Sequence, residues 1–548
     1  MLILETGHGS PDGEGTPVMS TGAASPPLSA IDSMSDRRKL ILFILMAIGQ
    51  FMALLDTQIV AASISDIQAG LAAAPDESSW VQTSYLMAEI VMIPLSGWLS
   101  RAFSTRWLFT ASAIGFTLSS IACGCAWNIQ SMIVARAVQG FVGGAMIPTV
   151  FATGYALFTG KKRALIPATL GLLSSLAPTI GPTLGGWITD ILSWHWLFFV
   201  NIVPGIVIAT TIPFFEAIDE PDFSLLRRFD FIGLLLLALS LASLEYVLEE
   251  GYRWGWMGDP VIRDWAWISI LSGVLFIWRS LVHASPIVDL HALKNRTFAV
   301  ACLFIFITGF GLFGAVYVLP LFLARVAGFD ARQIGDAVFV AGLSQIAVAP
   351  LVARFSQRID ARLMIVAGFS LFAGGLWMNS TVTSQWQGGE FFRPQILRGF
   401  AILLCIVPAT NMALGSLPPS QLKMASALFN TMRNLGGAIG IACINTWLNS
   451  RTNLHWHDLD SHLTAGDPKV QTWLENAAGW LGTLSADPAL VHQRALALLS
   501  STVRKEAVTM AFGDVFWLMA ALFVGALVFV PLLKRAQPPT AAAKAEAH

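Results

Sequence analysis

The sequence has 548 residues, 55% of them hydrophobic and only 12% charged, with a mean hydropathy of +0.65. A soluble globular chain of that size would not survive such a balance, so the composition assigns the protein to the lipid bilayer. The formal charge of −1 hides a segregation of sign along the chain and carries no signature of a nucleic-acid partner; none is expected.

Residues 1–38 are rich in Gly, Ser and Pro and lack the basic start and short apolar core of a cleavable signal, so they are predicted to form a disordered cytoplasmic tail. The first apolar run follows Arg37, Arg38 and Lys39, reaches from Leu40 to about Ser63, and is long enough to cross a bilayer. Similar runs recur, giving fourteen predicted spans that begin near residues 40, 78, 107, 131, 165, 196, 230, 263, 297, 335, 362, 394, 423 and 508. With the N-terminus inside, most of the 33 Lys and Arg residues fall on the cytoplasmic side, which predicts a multi-pass protein of the bacterial inner membrane with both termini cytoplasmic. Trp194, His195 and Trp196, then Tyr252, Trp254 and Trp256, mark outer turns as an aromatic belt. The five cysteines all lie in apolar runs and read as small core residues, with no disulfide framework and no metal spacing.

The chain also echoes itself. The stretch 138-VQGFVGGAMIP-148 opens the fourth span and 397-LRGFAILLCIVP-408 opens the twelfth, while the basic turns 100-SRAFSTRW-107 and 353-ARFSQRIDAR-362 follow the second and tenth. Such repetition suits a secondary transporter with its site between two halves near the midplane. The predicted fold is all-α: a six-helix bundle over 39–217, an inserted helix pair over 218–295, and a second six-helix bundle over 296–535. That second bundle includes a long periplasmic loop at 449–507, and a cytoplasmic tail follows at 536–548.

An ionisable residue inside a span costs at least ~2.5 to 3.5 kcal/mol, so each one needs a partner or a water-filled cavity. Four stand out: Asp56, Glu89, Arg136 and Arg433. At about 1.5 Å per residue, Asp56 and Arg136 sit level, roughly 8 to 9 Å below the outer surface, and are expected to pair. Glu89 and Arg433 lie roughly 15 to 16 Å deep, near the midplane and on opposite halves. Ser78, Gln82, Tyr85, Glu89 and Ser96 fall on one narrow stripe of the second span, which is expected to face a cavity. The plainer reading of Glu89, a protonated carboxyl gluing two helices, carries about half the weight of the cavity role. If Arg136 holds Asp56 ionised, Glu89 is the carboxyl left to take a proton and to lose it when a cationic substrate arrives. The fifth span carries Pro178, Gly181, Pro182, Gly185 and Gly186, a cluster that should bend the helix or let a neighbour approach closely.

Together, 55-LDTQIVAASISDI-67, 136-RAVQG-140, the GP-x-x-GG of 181–186 and 194-WHWLFFVNIVPG-205 resemble the EmrB/QacA type of drug:proton antiporter, the 14-helix branch of the major facilitator superfamily. The stretch 417-LPPSQLKMASALFNTMRNLGGAIGIA-442 is similar to EmrB in particular. The resemblance spans residues 38 to 535. It implies proton coupling through Asp56 and Arg136, an antiporter motif at Gly181, Pro182, Gly185 and Gly186, export of lipophilic or amphipathic compounds, and a tripartite pump with a periplasmic adaptor and an outer-membrane channel. It assigns Glu89 no role. The cavity is expected to be lined by Gln82, Tyr85, Glu89, Gln139, Asn430 and Arg433; Arg433 keeps open an anionic cargo, and a dedicated exporter of one metabolite, fatty acid or siderophore is the second reading.

The loop after the second helix, 97-GWLSRAFSTR-106, departs from the family's G-x-L-x-D-R-x-G-R: Arg101 stands at the acidic position, which puts its charge latch in doubt. His455, His457, Asp458, Asp460 and His462 have zinc-compatible side chains, but a flexible, solvated turn is the expected reading, with no metal. No cofactor is expected and no nucleophile–base arrangement, phosphate loop or ligand spacing points to an enzyme.

Overall fold

The computed structural model describes residues 34–533, apart from 79, 159–161, 164, 216–217, 284–285, 330, 357, 416, 418, 465 and 483–486. The disordered tails expected at 1–38 and 536–548 therefore lie almost wholly outside the described residues. Helix α1 covers Asp36–Ala62, α2 Trp80–Phe103, α3 Thr105–Gly124, α4 Ile129–Leu157, α5 Leu165–Ile191, α6 Trp196–Phe214, α7 Phe231–Glu250 and α8 Pro260–Val282. Then come α9 Arg296–Phe322, α10 Ala331–Phe355, α11 Ala361–Ser380, α12 Phe392–Leu414, α13 Pro419–Ser461, α14 Pro468–Gly482 and α15 Pro488–Ala526. Among the described residues thirteen helices are long and apolar enough to cross a membrane. Helix α13 has the length but interrupts its apolar run with Asn430, Arg433, Asn434 and Asn445; with it the expected fourteen spans are complete, α14 lying outside them.

Polar punctuation starts the helices. Asn128 and Ser131 form a reciprocal capping box at the start of α4, and Asp259 accepts from Val261 N and Ile262 N just ahead of Pro260. Once inside the bilayer, helices associate where small residues let backbones touch. Gly140 and Gly144 of α4 lie against the backbone of α2, so that a Cβ on Gly144 would stand 2.8 Å from the Glu89 carbonyl oxygen. Gly181 and Gly185 of α5 do the same to Gln58 and Ile59 of α1, and Gly436 and Gly440 of α13 to Phe306 and Phe310 of α9. Helix α5 runs unbroken through Pro178 and Pro182, and Gly186 beside this seam is half-buried, so the Gly/Pro cluster serves close packing.

The inserted pair α7/α8 is held together by reciprocal bonds: Ser269 Oγ donates to the Ser240 carbonyl (3.0 Å) and Ser240 Oγ to that of Ser269 (3.3 Å). It leans on α2, where the rings of Trp80 and Tyr246 stack at 5.4 Å, and its other faces show Leu235, Trp267, Leu271 and Val274 outward.

The structure corrects one expectation outright. The segment 449–507 is not a loop: α13 continues to Ser461, α14 follows, and α15 starts at Pro488, capped by Asp487, whose carboxylate accepts from Ala489 N. A search for apolar runs passes over helices that are polar because they stand in water. The His-rich turn is accordingly helical. His455 is half-buried with Nε2 2.9 Å from Asp514 of α15, and Arg451 reaches the same carboxylate at 3.6 Å, while His457, Asp458 and His462 are exposed. Among the described residues no group of three or more His, Cys, Asp or Glu is placed to hold a metal ion.

Candidate functional site

Five helices of the first half converge on Asp56. Arg136 Nη1 donates to Asp56 Oδ2 at 2.5 Å and to Gln139 Oε1 at 2.7 Å, while its Nε donates to the Val81 carbonyl at 3.1 Å. Gln139 Nε2 donates to Asp56 Oδ1 (3.1 Å) and to Ser120 Oγ (2.8 Å), and Asn201 Nδ2 donates to Asp56 Oδ1 at 2.7 Å. The Tyr85 ring lies under the guanidinium, 4.2 Å from its carbon, and Phe198 faces it at 5.7 Å. Asp56 is 1% exposed and Arg136 0%, so the pair is wholly removed from solvent. The expected pairing is present. Two residues assigned to the substrate cavity, Tyr85 and Gln139, are placed instead inside this charge network, because a buried guanidinium needs acceptors and a ring more than a cavity needs lining. Asn201, in the quoted WHWLFFVNIVPG stretch, and Ser120 are members that sequence reasoning did not single out.

The second cluster lies between the halves. Ser174 Oγ of α5 accepts from Gln50 Nε2 of α1 at 2.9 Å and from Arg433 Nη1 of α13 at 3.2 Å; Ser175 Oγ donates to Gln345 of α10. Glu89 is buried, 6% exposed, and makes no ion pair with a Lys, Arg or His among the described residues. Asn430 Nδ2 bonds only its own helix, at Ser426 O. Among the described residues, Gln50 Oε1, Asn430 Oδ1, and Arg433 Nε and Nη2 are buried without hydrogen-bond partners. Gln82 is half-buried, and Ser96 Oγ donates to the Ile93 carbonyl of its own helix at 2.7 Å, so the polar stripe of α2 does not open on a single cavity. It divides between the Asp56 network, the helix backbone and the centre.

Two further buried ionisable residues were missed. Glu245 of α7 is 4% exposed, Oε2 has no partner among the described residues, and Glu89 and Glu249 are its electrostatic neighbours. It escaped notice because it lies close to the end of an otherwise greasy span. Arg398 of α12 donates to Gln395 at 2.7 Å and lies over Phe372; with Thr179 and Gln345 it lines a cavity of about 20 Å³. The internal repeat carried the signal: matching Gly140 to Gly399 puts Arg398 at Gln139 and Gln395 at Arg136, so the Arg/Gln pair recurs with its order reversed and without a carboxylate.

At the face where α1 begins, the halves are tied together. Asp219 pairs with Lys423 of α13 and accepts from Thr105 N at 3.0 Å and Ser104 Oγ at 3.4 Å. Lys423 Nζ also donates to the Ser100 carbonyl (2.9 Å), Tyr155 OH to Asn411 (2.9 Å) and Ser426 Oγ to the Pro148 carbonyl (2.7 Å). The acid missing at Arg101 is thus supplied from the segment after α6. Ser104, where the family has Gly, keeps a positive φ of 72°.

The Major Facilitator Superfamily matches residues 46–442. The chain is 38% identical over 494 residues to "Colistin resistance protein EmrB" of Acinetobacter baumannii, covering 89% of this chain and 95% of that one. It is 30% identical over 501 residues to "Multidrug export protein EmrB" of Escherichia coli K12, covering 91% and 95%. It is 29% identical to "Fatty acid resistance protein FarB" of Neisseria gonorrhoeae, covering 90% and 95%. Among solved structures, the proton:xylose symporter XylE shares the fold at a TM-score of 0.56 and 11% identity, covering 92% of this chain and 97% of that one. Repeated six-helix halves, charges buried between them and these likenesses together make the chain a member of the major facilitator superfamily, of the EmrB type, and hence a secondary transporter.

Proposed function

We propose that the protein is a proton-driven exporter of lipophilic or amphipathic compounds, working in the inner membrane with both termini cytoplasmic. The observation that carries this reading is the pairing of a sealed Asp56–Arg136 ion pair with a second, underfilled polar centre, Glu89 to Arg433, between the halves. Asp56 is ion-paired and accepts from three side chains, with only Arg136 Nη2 of that pair lacking a partner among the described residues; the several orphaned donors and acceptors at the second centre are what a proton, water or cargo would satisfy. Glu89 is then the exchanging carboxyl: cargo entering beside it competes for its charge, and rocking of the halves carries either proton or cargo across. The relatives named for drug export support the breadth of cargo, and an adaptor docking on the outer helices with an outer-membrane channel beyond would complete the path.

In inverted vesicles energised by a proton gradient, Glu89→Gln should abolish coupled dye or drug uptake at unchanged expression. Normal uptake by that variant would sink the coupling role. A second reading, export of one acid such as a fatty acid, is favoured by Arg398 and Arg433, both buried with guanidinium nitrogens lacking partners among the described residues. Decanoate protection without dye transport would select it.

A further inference from the structure

Where α13 and α15 rise beyond the other helices on the face opposite the chain termini, they enclose a cavity of about 670 Å³ over the end of α9. Asn445, Leu448 and Asn449 on α13 and Arg504, Lys505 and Val508 on α15 are spaced by three and four residues, so each set is one helix stripe turned to the same space. The chain after Phe322 makes a π turn, Leu323–Ala327, which leaves Arg325 exposed at the rim and Val326 buried. Such turns are rare and frequent at functional sites. The turn after α7 closes the remaining side with Tyr252 and Arg253, anchored by Trp256 Nε1 donating to Thr446 Oγ1 at 3.1 Å.

The lining sorts by chemistry. Val326, Leu448 and Val508 give an apolar wall; Arg253, Arg325, Arg504 and Lys505 surround it. Arg253 is engaged by Glu250 at 3.1 Å, and Glu249 acts on Tyr252 and Tyr317. Among the described residues Arg325, Arg504 and Lys505 have no carboxylate partner. Burial pushes the Tyr252 phenol above its ordinary pKa, so it remains a donor. Arg325, Arg504 and Lys505 are all exposed where they line the recess, so an anion entering it meets three cations that no carboxylate pairs among the described residues. An apolar wall beside them suits a ligand whose charge ends in a hydrocarbon chain, and the volume suits a head and part of that chain.

We propose that this cavity binds the anionic headgroup, phosphate or carboxylate, of an amphiphile, at a site separate from the centre between the halves. A resident acidic phospholipid and an acidic cargo share that chemistry. The full-length protein in neutral detergent would be titrated calorimetrically with dihexanoyl-phosphatidylglycerol, with decanoate and with inorganic phosphate. At least one amphiphile should bind, and its affinity should fall by about tenfold or more in the Arg325→Gln/Arg504→Gln/Lys505→Gln variant. The amphiphile so affected identifies the source. Val508→Asp, which leaves every cation in place, should weaken the same ligand. Equal affinity in wild type and both variants, or inorganic phosphate binding as tightly as either amphiphile, overturns the proposal. Neither result bears on Glu89 or the export reading.

Discussion

At the residue scale, Asp56 and Glu245, both buried carboxylates, lie at opposite extremes of satisfaction. Asp56 accepts from Arg136, Gln139 and Asn201, so Asp56→Asn leaves a buried guanidinium unpaired and should cost about 3 to 5 kcal/mol of stability. Thermal unfolding in detergent reads this, and Arg136→Gln added to Asp56→Asn should recover part of the loss; strictly additive losses would deny the coupling. Glu245→Met should instead be neutral or stabilising by about 1 kcal/mol, since its Oε2 gives up no hydrogen bond. A clear fall in the unfolding midpoint would contradict that. Asp56 and Arg136 were legible in the sequence because charges are rare in spans and their depths matched. Tyr85 and Gln139 were legible as polar positions but not as partners, since depth along a helix does not say which neighbour a side chain meets. Glu245 and Arg398 sit near span ends, where a count of apolar residues cannot tell a buried ion from a loop residue.

At the element scale, the loop between α2 and α3 shows how a degraded motif can be repaired from elsewhere in the chain. Asp219 caps the start of α3 and pairs with Lys423, joining the two halves at the terminal face. Asp219→Ala should speed amide hydrogen exchange at both 100–105 and 419–427; exchange unchanged at 419–427 would show that the tie does not restrain α13. Ser104 sits at φ 72° and ψ 144°, a conformation nearly reserved for glycine, so Ser104→Gly should raise stability by about 1 kcal/mol, read as a higher unfolding midpoint. Sequence alone exposed the gap at Arg101 but not its substitute, because Asp219 is more than a hundred residues away and belongs to no repeat. The Gly181/Gly185 spacing of α5, in contrast, was visible as a pattern, and its partner on α1 was not.

At the scale of the whole molecule, fourteen spans, two repeated halves and an inserted pair were all readable, since the bilayer admits few ways to satisfy a backbone. What hid was everything outside the lipid. Helix α14 packs Leu474, Ala477, Ala478 and Leu481 against Val491 and Ala495 of α15, a small core on the face opposite the chain termini. Ala495→Asp should free α14 and make the chain susceptible to protease between 462 and 487, while transport-fold stability is retained; resistance equal to wild type would mean that this packing does not hold α14 in place.

Helix α13 links all of this. It has 43 residues, about 65 Å at 1.5 Å per residue, and carries Lys423 near one end, Arg433 at the polar centre about a third of the way along and His455 near the other end. If the halves rock about the polar centre, as alternating access requires, this helix is a lever with its fulcrum there. A tilt of about 10° about Arg433 swings the far tip, some 42 Å away, through roughly 7 Å. A protein resting on that tip would feel each cycle of the transporter as a mechanical stroke.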